Sequence, residues 1–388
     1  MIALLLAASV VVGPEIATDP LPPRSPVRQA ATPAVAMAHD IHGTAIVWTS
    51  EDSHGTSTIF FARLDETAHI VGSVHELSKS ALVDDVTPSL AASPTGEGFV
   101  LAYLEIASSG TNAVFNRLDA DLQTSPQFVL TAIGADEPPP VVRSGTSTWI
   151  AASGLLWRMR TDGSLEPSIA TGVLAADMTA ATEWPVLVGE DRIRSANYVC
   201  SSQPGCAIDG GPFRGSCYES CRVYAYTVAL EIMALNGAST IENFDFDSFA
   251  QPAIAGDGHA VVVVRFDGDQ QNRGSVVAQT GSTSIAVGTV LPDSGATRPE
   301  IAFDGERYLI VWRSAVAIGN HDIEGASIDA AGNVASFPIA GSSADERDPA
   351  VLAVGRGRFL VTYDKIDGAE RRLAGRFVEF PTRERAVR

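Results

Sequence analysis

Six proline-led segments recur at intervals of about fifty residues, or twice that once, and predict an all-β repeat fold, a β-propeller of seven blades. Each segment runs through a glycine turn into a β-branched stretch closed by an aromatic. Asp-, Asn- and Gly-rich turns follow at hairpin spacing. The count rests on the spacing alone and leaves six and eight open.

The leading prolines are Pro33, Pro88, Pro140, Pro252, Pro299 and Pro349. Proline donates no hydrogen bond to a ladder, so it marks the first residue of a strand. The glycines at 258 and 305 supply the positive φ of a tight hairpin. The runs at 261–264 and 309–311 are apolar on both faces, as a strand between two packed sheets must be. Trp48, Tyr103, Trp312 and Tyr363 close this second strand at one repeat position, which makes them core residues packed between blades. Third strands include TIFFARLD, NAVFNRLD and YTVALEIMALN, and the turns after them read DETA, DADL, TDGS, NGAS and DAAGN. Four antiparallel strands make one blade.

Between Pro140 and Pro252 lies room for two units, so a degenerate fourth unit is expected near 174–250. The last unit ends at Phe380 after three strands. Residues 25–29, SPVRQ, precede Pro33 as FPIAG precedes Pro349, so the N-terminal strand is expected to complete the last blade and leave no free edge. The propeller then spans 25–380, and the basic stretch 381–388 is a disordered tail.

Residues 1–13, MIALLLAASVVVG, are too short to cross a bilayer and fit the apolar part of a secretory signal, so 1–20 is read as a signal peptide or apolar N-terminal segment. No Lys or Arg precedes Arg24, so the usual basic flank is missing. Cys200, Cys206, Cys217 and Cys221 cluster in an insertion at 198–222 among turn residues. In an exported chain this reads as two disulfides, nested as Cys200–Cys221 and Cys206–Cys217 in the preferred pairing. A four-thiolate zinc site is the rival, without its usual C-x2-C pairs, and no metal ligands are assigned.

Lys and Arg number 27 against 46 Asp and Glu, a net charge of −19. Such a surface repels phosphate backbones, so no nucleic-acid partner is expected. Acids precede most repeat prolines, among them Asp85, Asp136, Glu137, Asp293, Asp345 and Asp348. They would ring one mouth of the channel, beside Phe213, Arg214 and Tyr218 of the Cys insertion. Either this ring takes calcium or a cationic ligand, or its acids satisfy local backbone N–H groups. No other cofactor is expected. Five of the seven histidines fall between 39 and 75, in turns too scattered for a metal site.

The Pro-x-x-Ala…Val-Val-Trp units, as in Pro33–Trp48 and Pro299–Trp312, resemble uncharacterised secreted bacterial repeat propellers over residues 25–380. The resemblance implies architecture and carries little function. The chain is thus expected to be an exported monomer, secreted or in the cell envelope, with no transmembrane segment. It would act as a binding or scaffold module for a protein or glycan on its acidic face. The alternative is a carbohydrate-active enzyme, a glycoside hydrolase or lyase. The nucleophile elbow, zinc-protease, phosphate-loop, dinucleotide and sialidase Asp-box motifs are all missing, so no catalytic residue is assigned. A close Asp/Glu pair at the channel mouth, one partner with a raised pKa, is the feature that would favour the enzyme.

Overall fold

The computed structural model describes residues 10–17, 35–51, 57–77, 84–107, 110–124, 128–130, 139–171, 174–180, 184–191, 196–201, 220–226, 229–234, 238–240, 252–256, 260–268, 274–280, 283–290, 298–317, 320–368 and 370–381. The fold is all-β and propeller-like. Among the described residues it contains six four-stranded antiparallel sheets, one five-stranded sheet and a two-stranded ribbon.

Each four-stranded sheet is one sequence repeat, its strands paired in chain order. The first runs Val35–Asp40, Gly43–Glu51, Ser57–Leu64 and Ile70–Glu76. The second strand of each unit is the apolar run seen in the sequence. Phe99–Leu104 is buried on both faces, because neighbouring sheets cover it on each side. The closing aromatics Trp48, Tyr103, Phe266, Trp312 and Tyr363 are all buried. Core clusters bridge the first and second sheets, the second and third, the third and fourth, the fifth and sixth, and the sixth and seventh. One more joins Val35, Ile46 and Trp48 of the first sheet to Ala350, Leu360 and Leu373 of the last.

The Asp-led turns between third and fourth strands behave as their chemistry requires. Asp65 Oδ1 accepts from the amides of Thr67 (2.8 Å) and His69 (3.0 Å), Asp119 Oδ1 from Asp121 (3.0 Å) and Gln123 (2.8 Å), and Asp329 Oδ1 from Ala331 and Asn333 (both 2.9 Å). The carboxylate substitutes for the carbonyls that the turn leaves out.

A second aspartate, in the hairpin between the first and second strands at the same end of the sheet, staples one sheet to the next. Asp40 Oδ2 accepts from the Gly98 amide of the second sheet (2.8 Å), and Asp304 Oδ2 from the Gly357 amide of the last (2.7 Å).

The fourth sheet is the degenerate unit, with strands Leu174–Thr179, Val186–Asp191, Ala229–Ala234 and Ala238–Thr240. Its insertion leaves between the second and third strands and forms the ribbon Ala196–Ser201 with Ser220–Tyr226. The backbone register sets Cys200 directly opposite Cys221. Cys206 and Cys217 lie outside the described residues.

The last sheet differs from expectation in one respect. Its three strands, Asp345–Gly355, Arg358–Asp367 and Glu370–Glu379, do gain an outer strand from the N-terminal region. That strand is not residues 25–29, which lie outside the described residues. It is Val11–Val12 and Ile16–Ala17, paired antiparallel with the last strand. The valine-rich stretch has the β-branched character an outer strand needs, and Pro14 sits between its two halves, where no ladder amide is required.

Candidate functional site

Residues from the first strands of the sheets line a cavity of about 370 Å³. Its wall carries residues 88–90, 140–142, 254–256 and 300–303 among others, so the repeat prolines Pro88 and Pro140 face it directly. Most residues of this wall are apolar, although polar atoms make up about half of its exposed surface. Against it stand three charged side chains, Asp177 of the fourth sheet and Arg298 and Glu300 at the start of the sixth.

Their positions follow from the repeat. Glu300 is the residue after Pro299 and Arg298 the residue before it. The residue after the proline is otherwise Ala34, Ser89, Val141, Ala253 or Ala350. Asp177 lines the cavity in the unit that lost its proline, and a register shift between Ala175 and Asp177 marks the spot. Arg298 reaches both acids. Its Nη2 lies 3.3 Å from Asp177 Oδ2, and its Nε lies 3.1 Å from Glu300 Oε1. Asp177 also accepts from the amides of Met178 (2.8 Å) and Ile254 (2.9 Å), which ties the fourth sheet to the fifth.

The electrostatics separate the two acids. Burial pushes the Glu300 carboxyl up to about 7; the Asp177 charge adds to the rise and Arg298 opposes it. Burial also raises Asp177, against the pull of Arg298 and two backbone amides. Asp177 therefore has the hydrogen bonds that hold a charge, and Glu300 does not. Near neutrality Glu300 titrates beside a fixed arginine, which gives the wall a group able to give or take a proton.

A folded-state pKa above the unfolded one means that the native state holds this proton more tightly. Stability from protonated Glu300 is full below about pH 4.5 and is lost as pH rises through about 7. The Glu300→Gln variant should therefore match wild type in acid and exceed it by roughly 2 kcal/mol above pH 8, the side chain being partly open to the cavity. Melting temperatures across pH 4.5–9 check this; parallel curves would refute it.

The acids expected at the mouth fare differently. Asp136, Glu137 and Asp293 lie outside the described residues, as do Phe213, Arg214 and Tyr218. Asp85 is placed by its backbone in the strand Asp84–Ala92, opposite Glu105. Asp345 is buried and bound to His321 Nδ1 (2.7 Å) and to Arg347. Asp348 stands before Pro349 with a φ of 48°, as Thr87 stands before Pro88 with 53°. A left-handed residue before the proline bends the strand where each ladder shifts register. Beside them Glu346 accepts from Ser342 Oγ (2.6 Å). Asp345 and Glu346 are thus engaged within the protein, and Asp177 and Glu300 are the acids of the cavity wall. Among the described residues, no three His, Cys, Asp or Glu side chains gather as a metal site, and no helix is long and apolar enough to cross a membrane.

No protein-family model and no curated protein sequence matches the chain. Among solved structures it is similar to a protein of unknown function from Dyadobacter fermentans, at 10% identity and a TM-score of 0.49, over 96% of this chain and 99% of that one. It is similar to Trypanosoma rangeli sialidase at 8% identity and a TM-score of 0.45, over 96% of this chain and 59% of that one. It is also similar to an α-L-arabinofuranosidase from Podospora anserina, at 10% identity and a TM-score of 0.37, over 96% and 98%. At these identities none of the three transfers an activity to this chain.

Proposed function

We propose that the seven sheets are the blades of one closed seven-bladed propeller, exported from the cell, which binds a protein or glycan at the mouth of its central channel. The contact of the first strand of the last sheet with that of the first supports the ring. The register of Cys200 against Cys221 supports a disulfide across the ribbon, and with it an oxidising compartment. Titration without reductant should find no free thiol; four would sink both ideas. The observation that carries the binding reading is the Asp177–Arg298–Glu300 trio on a wall otherwise lined mainly by apolar residues. A few convergent polar groups in an apolar pocket give a ligand its orientation.

The second reading, a glycoside hydrolase or lyase, is favoured by one observation, the raised pKa of Glu300 beside Asp177. One assay separates the two. A panel of envelope and environmental polysaccharides is incubated with the protein, and reducing-end release and retention are recorded in the same tubes. Retention without release, weakened at least tenfold by Arg298→Ala, is the expected result. Release abolished by Glu300→Gln would make the protein an enzyme. Retention untouched by Arg298→Ala would move the site elsewhere.

A further inference from the structure

The outer strand of the last sheet is held by more than backbone pairing. Between Val12, opposite Val378, and Ile16, opposite Gly375, the N-terminal segment carries one residue more than its partner. This bulge holds Gly13, Pro14 and Glu15. The Gly13 amide donates to Phe377 O (2.8 Å), and Arg376 Nη1 donates to Gly13 O (3.1 Å).

Glu15 is thereby aimed into a socket built by the last two strands. Lys365 Nζ lies 2.7 and 2.9 Å from its two oxygens, and Tyr363 OH donates at 3.2 Å. Arg372 and Arg376 stand at 3.4 and 3.7 Å. Lys365 and Glu15 are both largely buried, with 11% and 20% of their side chains exposed. Burial alone would raise the Glu15 carboxyl, but Lys365, Tyr363 and Arg376 outweigh it and hold the group below its ordinary value. On either side of the socket the segment enters the core. Val10 packs into the cluster between the sixth and last sheets, and Ile16 into the cluster between the last sheet and the first.

A leader peptide is removed and its residues serve no fold. This segment completes a sheet, contributes to two core clusters and sets one carboxylate among three cations. Without it Lys365, Arg372 and Arg376 would face one another with the Glu15 charge gone. We propose that the outer edge of the last sheet is a strand-binding site with a carboxylate socket, that residues 10–17 are its permanent occupant, and that any processing of an exported chain cuts before Val10. The inference is independent of what the channel binds.

The test begins with the full chain, expressed so that it can be exported, and recovered separately from cells and medium. Intact mass and N-terminal sequencing are read on the folded protein of each pool. A terminus at or before Val10 in every folded pool is expected; a folded pool that begins after Val10 overturns the proposal. Which pool holds the protein tests export and leaves this reading untouched. The socket is tested on the full chain by Glu15→Lys, which should melt several degrees lower, with part of the loss regained on adding Lys365→Glu. Where Glu15→Lys fails to fold, Glu15→Gln replaces it. An unchanged melting temperature for either variant overturns the socket.

Discussion

The Gly98→Val variant is expected to lose roughly 4 kcal/mol of stability, about 5 °C in melting temperature for a chain of this length. Gly98 immediately precedes the second strand of the second sheet, Phe99–Ala107, with a φ of +74°, where residues with a Cβ are strained. The space is closed as well. A Cβ there would lie 2.1 Å from Leu118 O and 2.8 Å from Asp119 C. Both are backbone atoms of a turn that Asp119 pins from inside, so neither can step aside cheaply. Gly98→Ala should fall between wild type and Gly98→Val in a denaturant titration. A valine variant as stable as wild type would show that this junction is not packed as described.

The second large effect is expected at the carboxylate that Gly98 serves. Asp40→Asn should destabilise the protein by roughly 3 kcal/mol at pH 7, because it leaves a mostly buried guanidinium without its charge. Arg63 Nη1 and Nη2 grip the two Asp40 oxygens at 2.7 and 2.8 Å, and Arg63 itself lies 5.0 Å over the Phe99 ring. Burial pushes Asp40 up, but Arg63 and the amides of Gly98 and His42 pull it below the ordinary aspartate range. A depressed folded-state pKa gives stability that is full above about pH 4 and disappears as pH falls through the folded value. The gap between wild type and Asp40→Asn should therefore close in acid. A gap that holds constant from pH 7 to pH 2 would assign the loss to shape instead of charge.

The repeat was legible because each unit spends the same residue types on the same tasks. Proline opens the inner strand, Asp or Gly turns the hairpins, and an aromatic fills the gap between sheets. Those signals are local, and they placed the sheets, the Cys insertion and the core aromatics. The fourth unit was recoverable only from the length left over, since it lacks the proline.

The cavity pair escaped for a related reason. Turn chemistry concentrates acids before the proline, while the acids on the wall are Glu300 just after a proline and Asp177 in the unit without one. Setting the units side by side on their prolines would have isolated Glu300 among alanine, serine and valine. The outer strand of the last sheet escaped because a short valine-rich stretch reads equally as leader or as strand. Only the partner, more than three hundred residues away in sequence, distinguishes them.

That separation bears on how the protein is made. Val11 and Glu379, which face each other, stand more than three hundred residues apart, so Glu379 leaves the ribosome long after Val11. Joining them costs about 4 kcal/mol more in chain entropy than closing a four-residue hairpin, so the sheet that unites these two distant segments is the natural last step of folding. Until then the intermediate carries an exposed strand edge at each end. In a crowded compartment such edges pair with those of neighbouring copies. Refolding yield should accordingly fall with protein concentration.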